Sequence, residues 1–252
     1  MTDVRRPGQF RILIIGRANA GKTTILRAVC GVDEEPKVYD REGRRVRASE
    51  DHPMYGERGE HNIEYELRFP GNPGFVFHDS RGFESGSVEE LGLVRKFIQE
   101  QAGLGSMSRQ LHAIWYCFPA DNNRLMTAAE QEFFNKIDTG RVPVIAVFTK
   151  FDALDSIAFT ELCSQGFPFE VAKKMAPKHA TETFNKEFLP LLESLAHCPK
   201  AVVHLRSVFP THAASELVQS TEAALDSDVL KMLLVQAQHA NVELCMKSAV
   251  RK

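Results

Sequence analysis

The amino-acid sequence predicts a three-layer α/β fold, in which helices cover both faces of a mostly parallel sheet. One observation about the sequence and one rule of strand pairing support this prediction. Short apolar segments rich in β-branched residues alternate along the chain with amphipathic segments of helical periodicity, and strands joined by helical crossovers pair in parallel. Buried strands are expected at residues 10–15, 111–118, 142–148 and 201–205, and helices at residues 22–30, 88–101 and 127–137.

The other segments are consistent with this pattern. In the long polar stretch 32–62, Glu42 and Gly43 predict the turn of a small hairpin. Residues 63–69 and 75–78 are expected to pair as antiparallel strands, with GNPG as the turn between them. Further helices are expected at residues 156–197, 213–225 and 229–249.

The composition is that of an ordinary globular protein. The 252 residues are 43% hydrophobic and 25% charged, and the formal net charge is −2. This near-neutral balance argues against nucleic acid or an anionic membrane as the main partner. The length allows one large or two small domains, and no linker separates two. We therefore expect a flexible N-terminus at residues 1–9 and a single domain at 10–252, with a C-terminal helical extension at about 213–249.

Cysteine usage indicates a reducing, cytoplasmic setting. The five cysteines are odd in number and widely spaced, which is not the pattern of a disulfide framework or a metal knuckle. The chain also has no signal-peptide pattern, no lipidation box and no apolar run long enough to span a bilayer, so no direct membrane insertion is expected.

The most specific pattern in the sequence directly follows the first predicted strand and has the form G-x-x-x-x-G-K-[ST]. Its members are Gly16, Arg17, Ala18, Asn19, Ala20, Gly21, Lys22 and Thr23. Such glycines let backbone N–H groups face an anion, the lysine reaches the β- and γ-phosphates, and the threonine hydroxyl can ligate Mg²⁺. The helix dipole adds to the attraction. We also include Thr24 among the candidate nucleotide-binding residues.

A second pattern, D-x-x-G, ends the strand at 75–78. The Asp79 carboxylate can hold Mg²⁺ through water, and the Gly82 N–H can meet a γ-phosphate. By itself this pattern is weak, because a carboxylate and a glycine also occur in ordinary turns at strand ends.

A third pattern, Thr149-Lys150-Phe151-Asp152, ends the strand at 142–148. A carboxylate at Asp152 can accept hydrogen bonds from N1–H and from the exocyclic amino group of guanine, whereas adenine has no such donor pair. Ser207 and Val208, just past the last predicted strand, could present a backbone N–H to guanine O6, and an ordinary structural turn is an equal alternative there.

Taken together, these segments resemble the phosphate-loop GTPases of the Ras-like and Era/septin-like kind, over about residues 10–210. The whole chain is most similar to single-domain G proteins of fungi. The resemblance implies a six-stranded, mostly parallel sheet with an extra C-terminal helix, GTP or GDP as ligand, and Mg²⁺ held by Thr23 and Asp79. It implies a nucleotide-dependent switch that hydrolyses GTP to GDP and phosphate. The alternative is a septin-like, GTP-dependent assembly module with negligible turnover.

The sequence departs from the family pattern in both switch regions. Residues 31–62 contain no threonine to bind Mg²⁺, and Ser49 is the only similar hydroxyl there. Phe83 stands where Ras-like proteins place a glutamine that orients water, which implies slow hydrolysis without a partner or K⁺. Asn19 matches the asparagine that ligates K⁺ in Era-like enzymes, although asparagine is also common in turns.

Three residues are therefore candidate catalytic groups: Lys22, Asn19 and Arg58. Arg58 lies where some G proteins carry an arginine in cis, and it can equally be one of many surface charges. The apolar stripe of the last helix predicts packing on the domain, or secondarily a nucleotide-dependent homodimer. An effector or activating protein is expected, and the sequence does not identify it.

Overall fold

The computed structural model describes residues 8–46, 62–80, 88–103, 107, 109–121, 126–206 and 210–238. The strands are β1 Phe10–Gly16, β2 Lys37–Tyr39, β3 Arg45–Val46, β4 Glu66–Phe69, β5 Asn72–Asp79, β6 Ala113–Pro119, β7 Val144–Thr149 and β8 Ala201–His204. The helices are α1 Lys22–Cys30, α2 Val88–Ala102, α3 Ala128–Lys136, α4 Asp152–Ser164, α5 Phe169–Glu187, α6 Leu189–Glu193, α7 Pro210–Ala224 and α8, residues 228–238.

The strands form one sheet in the order β3-β2-β4-β5-β1-β6-β7-β8. From β5 to β8 all neighbours are parallel, whereas β4 is antiparallel to β5, and β2 is antiparallel to both β4 and β3. The predicted α/β class with a mostly parallel sheet is confirmed. Every residue of β1, β6 and β7 is buried, as expected for strands with helices on both faces.

Two separate apolar cores lie on the two faces of this sheet. On one face the even-numbered residues of β1 pack with α1, α7 and α8. On the other face Leu13 and Ile15 pack with α2, α3, α5 and α6. A smaller third cluster joins α4 to α5 through the buried residues Ala158, Leu162, Ala172, Ala176 and Ala180. The sheet is therefore the middle of three layers, as predicted.

The number of strands differs from the prediction, since the sheet has eight strands in the described residues rather than six. The two additional strands, β2 and β3, form the predicted hairpin, with Gly43 in its turn at φ 76°. β2 extends the sheet because Val38 pairs with Leu67 of β4, and both side chains are buried against the core. The β2–β3 hairpin thus widens the sheet by two strands beyond β4.

The predicted bounds around β4 and β5 were also wrong. β4 begins at Glu66 rather than at residue 63, and β5 begins at Asn72, so the turn is shorter than GNPG. Asn72 belongs to the strand because it pairs with Phe69 of β4, and its buried side chain donates to Cys30 O and accepts from the Gly74 N–H. Gly74 is in turn needed for close packing with α8.

The C-terminal helices pack against the sheet where they are described. Trp115 of β6 donates its indole N–H to the buried Thr221 hydroxyl of α7 at 3.0 Å. In α8, Leu234 and Ala237 of the predicted stripe are buried, and Leu230 and Leu233 are partly buried against the same core. The other residues of the stripe lie outside the described residues: Val242, Leu244 and Cys245. Across the described part of the chain, no helix is both long and apolar enough to cross a membrane.

We predict that Gly74→Ala destabilises the fold by detaching α8 from β5. A Cβ at this position would lie 2.5 Å from Ala237 Cα and 2.7 Å from Ala237 O, and both are backbone atoms that cannot move aside independently. Overpacking of this kind costs about 2 kcal/mol. Chemical denaturation at equilibrium measures the change.

The matched control is Gly92→Ala in α2, where an added Cβ meets no atom within 4 Å. That variant is expected to be neutral or more stable by about 0.5 kcal/mol, because alanine favours a helix over glycine. Equal stability of the two variants would contradict the proposed packing.

Candidate functional site

The candidate site lies at the carboxyl ends of the parallel strands. The order β5-β1-β6 makes β1 the strand from which the chain crosses to both sides, and open α/β sheets bind ligands in the crevice at such a point. Strand pairing sets Ile14 opposite Asp79 and Gly16 opposite Cys117. The loop after β1 and the end of β5 are therefore neighbours, although 63 positions separate Gly16 and Asp79 in the sequence.

The loop from Gly16 to Lys22 has a backbone that only particular residues can adopt. Gly16 has φ 153°, and a Cβ there would lie 2.6 Å from Cys117 O. Asn19 at φ 59° and Gly21 at φ 73° are both left-handed, a conformation that asparagine and glycine tolerate. The Ala20 N–H donates to Arg17 O at 3.2 Å. The chain thus turns tightly and leads into the N-terminus of α1 at Lys22.

The Lys22 ammonium lies over this loop. Its Nζ donates to Gly16 O at 3.0 Å and to Arg17 O at 3.3 Å, and it is 4.0 Å from Asp79 Oδ1. The lysine side chain is 12% exposed. A positive charge is therefore concentrated beside the N-terminus of α1, where the helix dipole also favours an anion.

Asp79 supplies a buried negative charge next to the lysine. Burial raises the pKa of its carboxyl to about 6, and the nearby Lys22 ammonium partly opposes that rise. Oδ1 of Asp79 is buried and accepts no hydrogen bond from the described residues. A carboxylate oxygen of this kind is suited to a hard cation such as Mg²⁺. Thr23, half-buried, follows Lys22 at the start of α1, and Thr24 is exposed.

Arg17 is held by a buried ion pair that connects the loop to α3. Its Nε donates at 3.0 Å to Oε1 of Glu130, whose side chain is completely buried. Glu130 also accepts from the Thr127 N–H as part of the capping box of α3. Burial raises the pKa of the Glu130 carboxyl, and both partners oppose the rise. The side chain of Arg17 therefore anchors the loop to α3.

The third predicted pattern lies at the end of β7. The Thr149 hydroxyl donates to Phe118 O at 3.4 Å, and Lys150 is left-handed at φ 53°. The Lys150 ammonium donates to Asp121 Oδ2 at 2.7 Å. Asp152 is the first residue of α4 and is partly buried. Its carboxylate therefore projects from a helix that begins where the strand ends.

The structure brings together most of the predicted site but does not describe all of it. The loop at 16–23, Asp79 and residues 149–152 all lie at the carboxyl ends of the parallel strands. Gly82, Arg58, Ser207 and Val208 lie outside the described residues, as do Ser49 and Phe83.

Sequence reasoning missed two residues that the structure places here, Glu130 and Asp121. Glu130 could have been found, because Thr127 and Glu130 have the spacing of a capping box before an apolar segment. Asp121 follows a predicted strand end, but its pairing with Lys150 depends on the neighbouring positions of β6 and β7. Within the described ranges, no three His, Cys, Asp or Glu side chains form a cluster suited to a metal ion.

The parallel sheet, the glycine-bearing loop with its lysine and the carboxylate of the adjacent strand define a phosphate-loop GTPase domain. Residues 11–150, more than half of the chain, match the family described as 50S ribosome-binding GTPase. The chain belongs to this GTPase family, and it is a GTP-binding domain.

Solved structures with a similar arrangement include two GTPase domains. One is the G domain of the T. maritima FeoB iron transporter, which is 14% identical, with a TM-score of 0.42 over 86% of this chain and 98% of that chain. The other is a septin GTPase domain from Chlamydomonas reinhardtii, 15% identical, with a TM-score of 0.40 over 78% of this chain and 74% of that chain. No curated protein matches this sequence significantly.

We predict that Arg17→Met destabilises the protein by about 3 kcal/mol, because it leaves the buried Glu130 carboxylate without its positive partner. Adding Glu130→Gln should restore part of this loss, since the amide removes the buried charge and retains an oxygen for the Thr127 N–H. Denaturant unfolding of both single variants and of the double variant measures the coupling. Simple addition of the two single effects would contradict the proposed ion pair.

Proposed function

We propose that this protein binds GTP with Mg²⁺ and hydrolyses it to GDP and phosphate. The observation that carries this proposal is the placement of the Lys22 ammonium, which donates to two loop carbonyls and lies 4.0 Å from the buried Oδ1 of Asp79. We further propose that residues 10–252 act as one domain, with a C-terminal helical extension at about 213–249. The two switch segments near residues 32–62 and 80–92 would then differ between the GTP and GDP states.

Each part of the site has a role in this proposal. Lys22 and amides of the loop after β1 bind the phosphates, and they stabilise the negative charge on the transferring phosphoryl group. The donor set fits a magnesium ion, which Thr23 and Asp79 would hold, and which neutralises phosphate charge when bound. Water is the nucleophile, so no covalent intermediate forms. Thr24 and Gly82 complete the proposed contacts around the phosphates.

The base is selected at the end of β7. Asp152 accepts hydrogen bonds from N1–H and the amino group of guanine, and the Lys150 side chain, held by Asp121, lies beside the base. Thr149 supports this segment from β7 through its bond to Phe118 O. Ser207 and Val208 would contact O6.

We propose that turnover is slow without a partner or K⁺. The left-handed, exposed Asn19 is available to bind K⁺ next to the phosphates, and Arg58 is the competing candidate for the same stabilising charge.

The described cysteines, Cys30, Cys117, Cys163 and Cys198, are all free thiols, which supports a cytoplasmic location. An effector or activating protein would read the nucleotide state.

We predict that Asp152→Ala weakens GDP and GTP binding about 100-fold, because two hydrogen bonds to the base are lost. Wild-type protein should bind both nucleotides with micromolar or tighter dissociation constants and should not bind ATP. Titration calorimetry measures the affinities. Asp228→Ala, at a 98% exposed side chain in α8, is the control and should leave binding unchanged. Unchanged affinity in Asp152→Ala would refute the guanine assignment.

We predict that GTP turnover is about tenfold faster in K⁺ than in Na⁺ and that Asn19→Ala removes this difference. Phosphate release measured in each salt tests the role of the ion, with Asn185→Ala on the exposed side of α5 as the control. Equal rates in both salts, with turnover lost in Arg58→Ala, would assign the charge to Arg58. Absence of turnover together with nucleotide-dependent oligomers on a sizing column would favour the assembly module.

A further inference from the structure

The Arg206 side chain joins three segments of the fold beside the proposed guanine site. It follows β8, and its guanidinium contacts both α4 and α5. None of the roles in the proposed function uses this arginine. Its contacts are nonetheless more numerous than those of an ordinary surface charge.

The first contacts are with the beginning of α4. Arg206 Nε donates to Asp155 Oδ2 at 2.9 Å and its Nη2 donates to Asp155 Oδ1 at 3.1 Å, which is a bidentate pair. The guanidinium carbon also lies 5.1 Å from the centre of the Phe151 ring. The side chains of Arg206 and Asp155 are 31% and 20% exposed. Water therefore screens this ion pair less than it screens a fully exposed one.

The remaining contacts are with α5. Nη2 of Arg206 donates to Pro177 O at 3.2 Å and is 3.2 Å from the Thr181 hydroxyl. That hydroxyl donates to the same Pro177 carbonyl at 3.0 Å. A single guanidinium therefore fixes the distance between β8, the first turn of α4 and the middle of α5.

Asp152 lies between the two residues at the start of α4 that Arg206 contacts, Phe151 and Asp155. Phe151 is the N-cap directly before Asp152, and Asp155 is three residues later in the first turn of the helix. Phe151 itself is held by β8 and the residue after it. Its N–H donates to Leu205 O at 3.0 Å, and its ring stacks on the His204 ring with the ring centres 4.1 Å apart. Recognition by hydrogen bonds depends on placing the carboxylate to within about 0.5 Å.

We propose that Arg206 is a positioning residue for guanine recognition, which holds the first turn of α4 so that Asp152 meets both donors of the base. This inference rests on the proposed role of Asp152. Arg206 does not touch the nucleotide in this proposal. It acts through Asp155 and Phe151, and its contacts with Pro177 O and Thr181 of α5 hold the guanidinium in place.

Arginine is required here because of its shape. Only a planar guanidinium donates to both oxygens of Asp155 while another N–H reaches the Pro177 carbonyl. A lysine ammonium has the same charge but no fork. Arg206→Lys thus separates the geometric role from a general effect of positive charge on a bound nucleotide.

The experiment compares affinities for GDP and for inosine diphosphate, which lacks the exocyclic amino group and so makes one hydrogen bond fewer with Asp152. We expect wild-type protein to prefer GDP about tenfold. In Arg206→Ala, GDP binding should weaken about tenfold and the preference should fall to about twofold. Arg206→Lys should lose most of the preference, and Asp155→Asn should lose about half of it.

The control is Ala172→Gly, which loosens the α4–α5 core without removing any contact of Arg206. An equal loss of preference in this variant would overturn the proposal, since weaker hairpin packing alone would then explain the result. An unchanged preference in Asp155→Asn and in whichever Arg206 variants fold, as judged by circular dichroism at the assay temperature, would also overturn it.

A failure of the proposed function gives a different result. In that case wild-type protein binds GDP and inosine diphosphate equally, or Asp152→Ala binds GDP as tightly as wild type. A wild-type preference that Asp152→Ala abolishes and the Arg206 variants retain would reject the positioning role alone.

Discussion

The site depends on the position of β1 between two parallel strands. Its last residue, Gly16, passes so close to β6 that a side chain would meet Cys117 O at 2.6 Å. The same pairing sets Asp79 of β5 opposite Ile14, one step below the loop. Strand pairing therefore fixes the positions of Gly16 and of Asp79. As a result, the Lys22 ammonium lies near the loop carbonyls and the Asp79 carboxylate at the same time. A shift in the register of either strand would separate these groups.

Buried charge is the second constraint, and it distinguishes the site from the apolar cores beside it. Asp79 is removed from water with only partial compensation from Lys22, which is why the pKa of its carboxyl is raised. Glu130 is also buried, and its direct pairing with Arg17 opposes the rise in the pKa of its carboxyl. One pair thus fixes the loop to α3, while the other leaves a carboxylate oxygen available to a cation. Stability and binding place different demands on neighbouring carboxylates.

The α4–α5 hairpin has its own small core and is connected to the sheet partly through polar contacts. Alanines pack between the two helices, whereas Arg206 links both helices to the end of β8. The near-neutral charge of the chain agrees with a partner other than nucleic acid.

The sequence by itself determined the elements whose signals are local. It predicted β1, α1 and the loop between them, because an apolar run, the G-x-x-x-x-G-K-[ST] pattern and a segment of helical periodicity are adjacent in the chain. It also placed Asp79 and Asp152 at strand ends. Only the tertiary structure decided that the β2–β3 hairpin extends the sheet, that β4 begins at Glu66, and that Arg17 pairs with Glu130. These features join residues far apart in sequence, 113 positions in the last case, and local periodicity carries no information about which distant strands become neighbours.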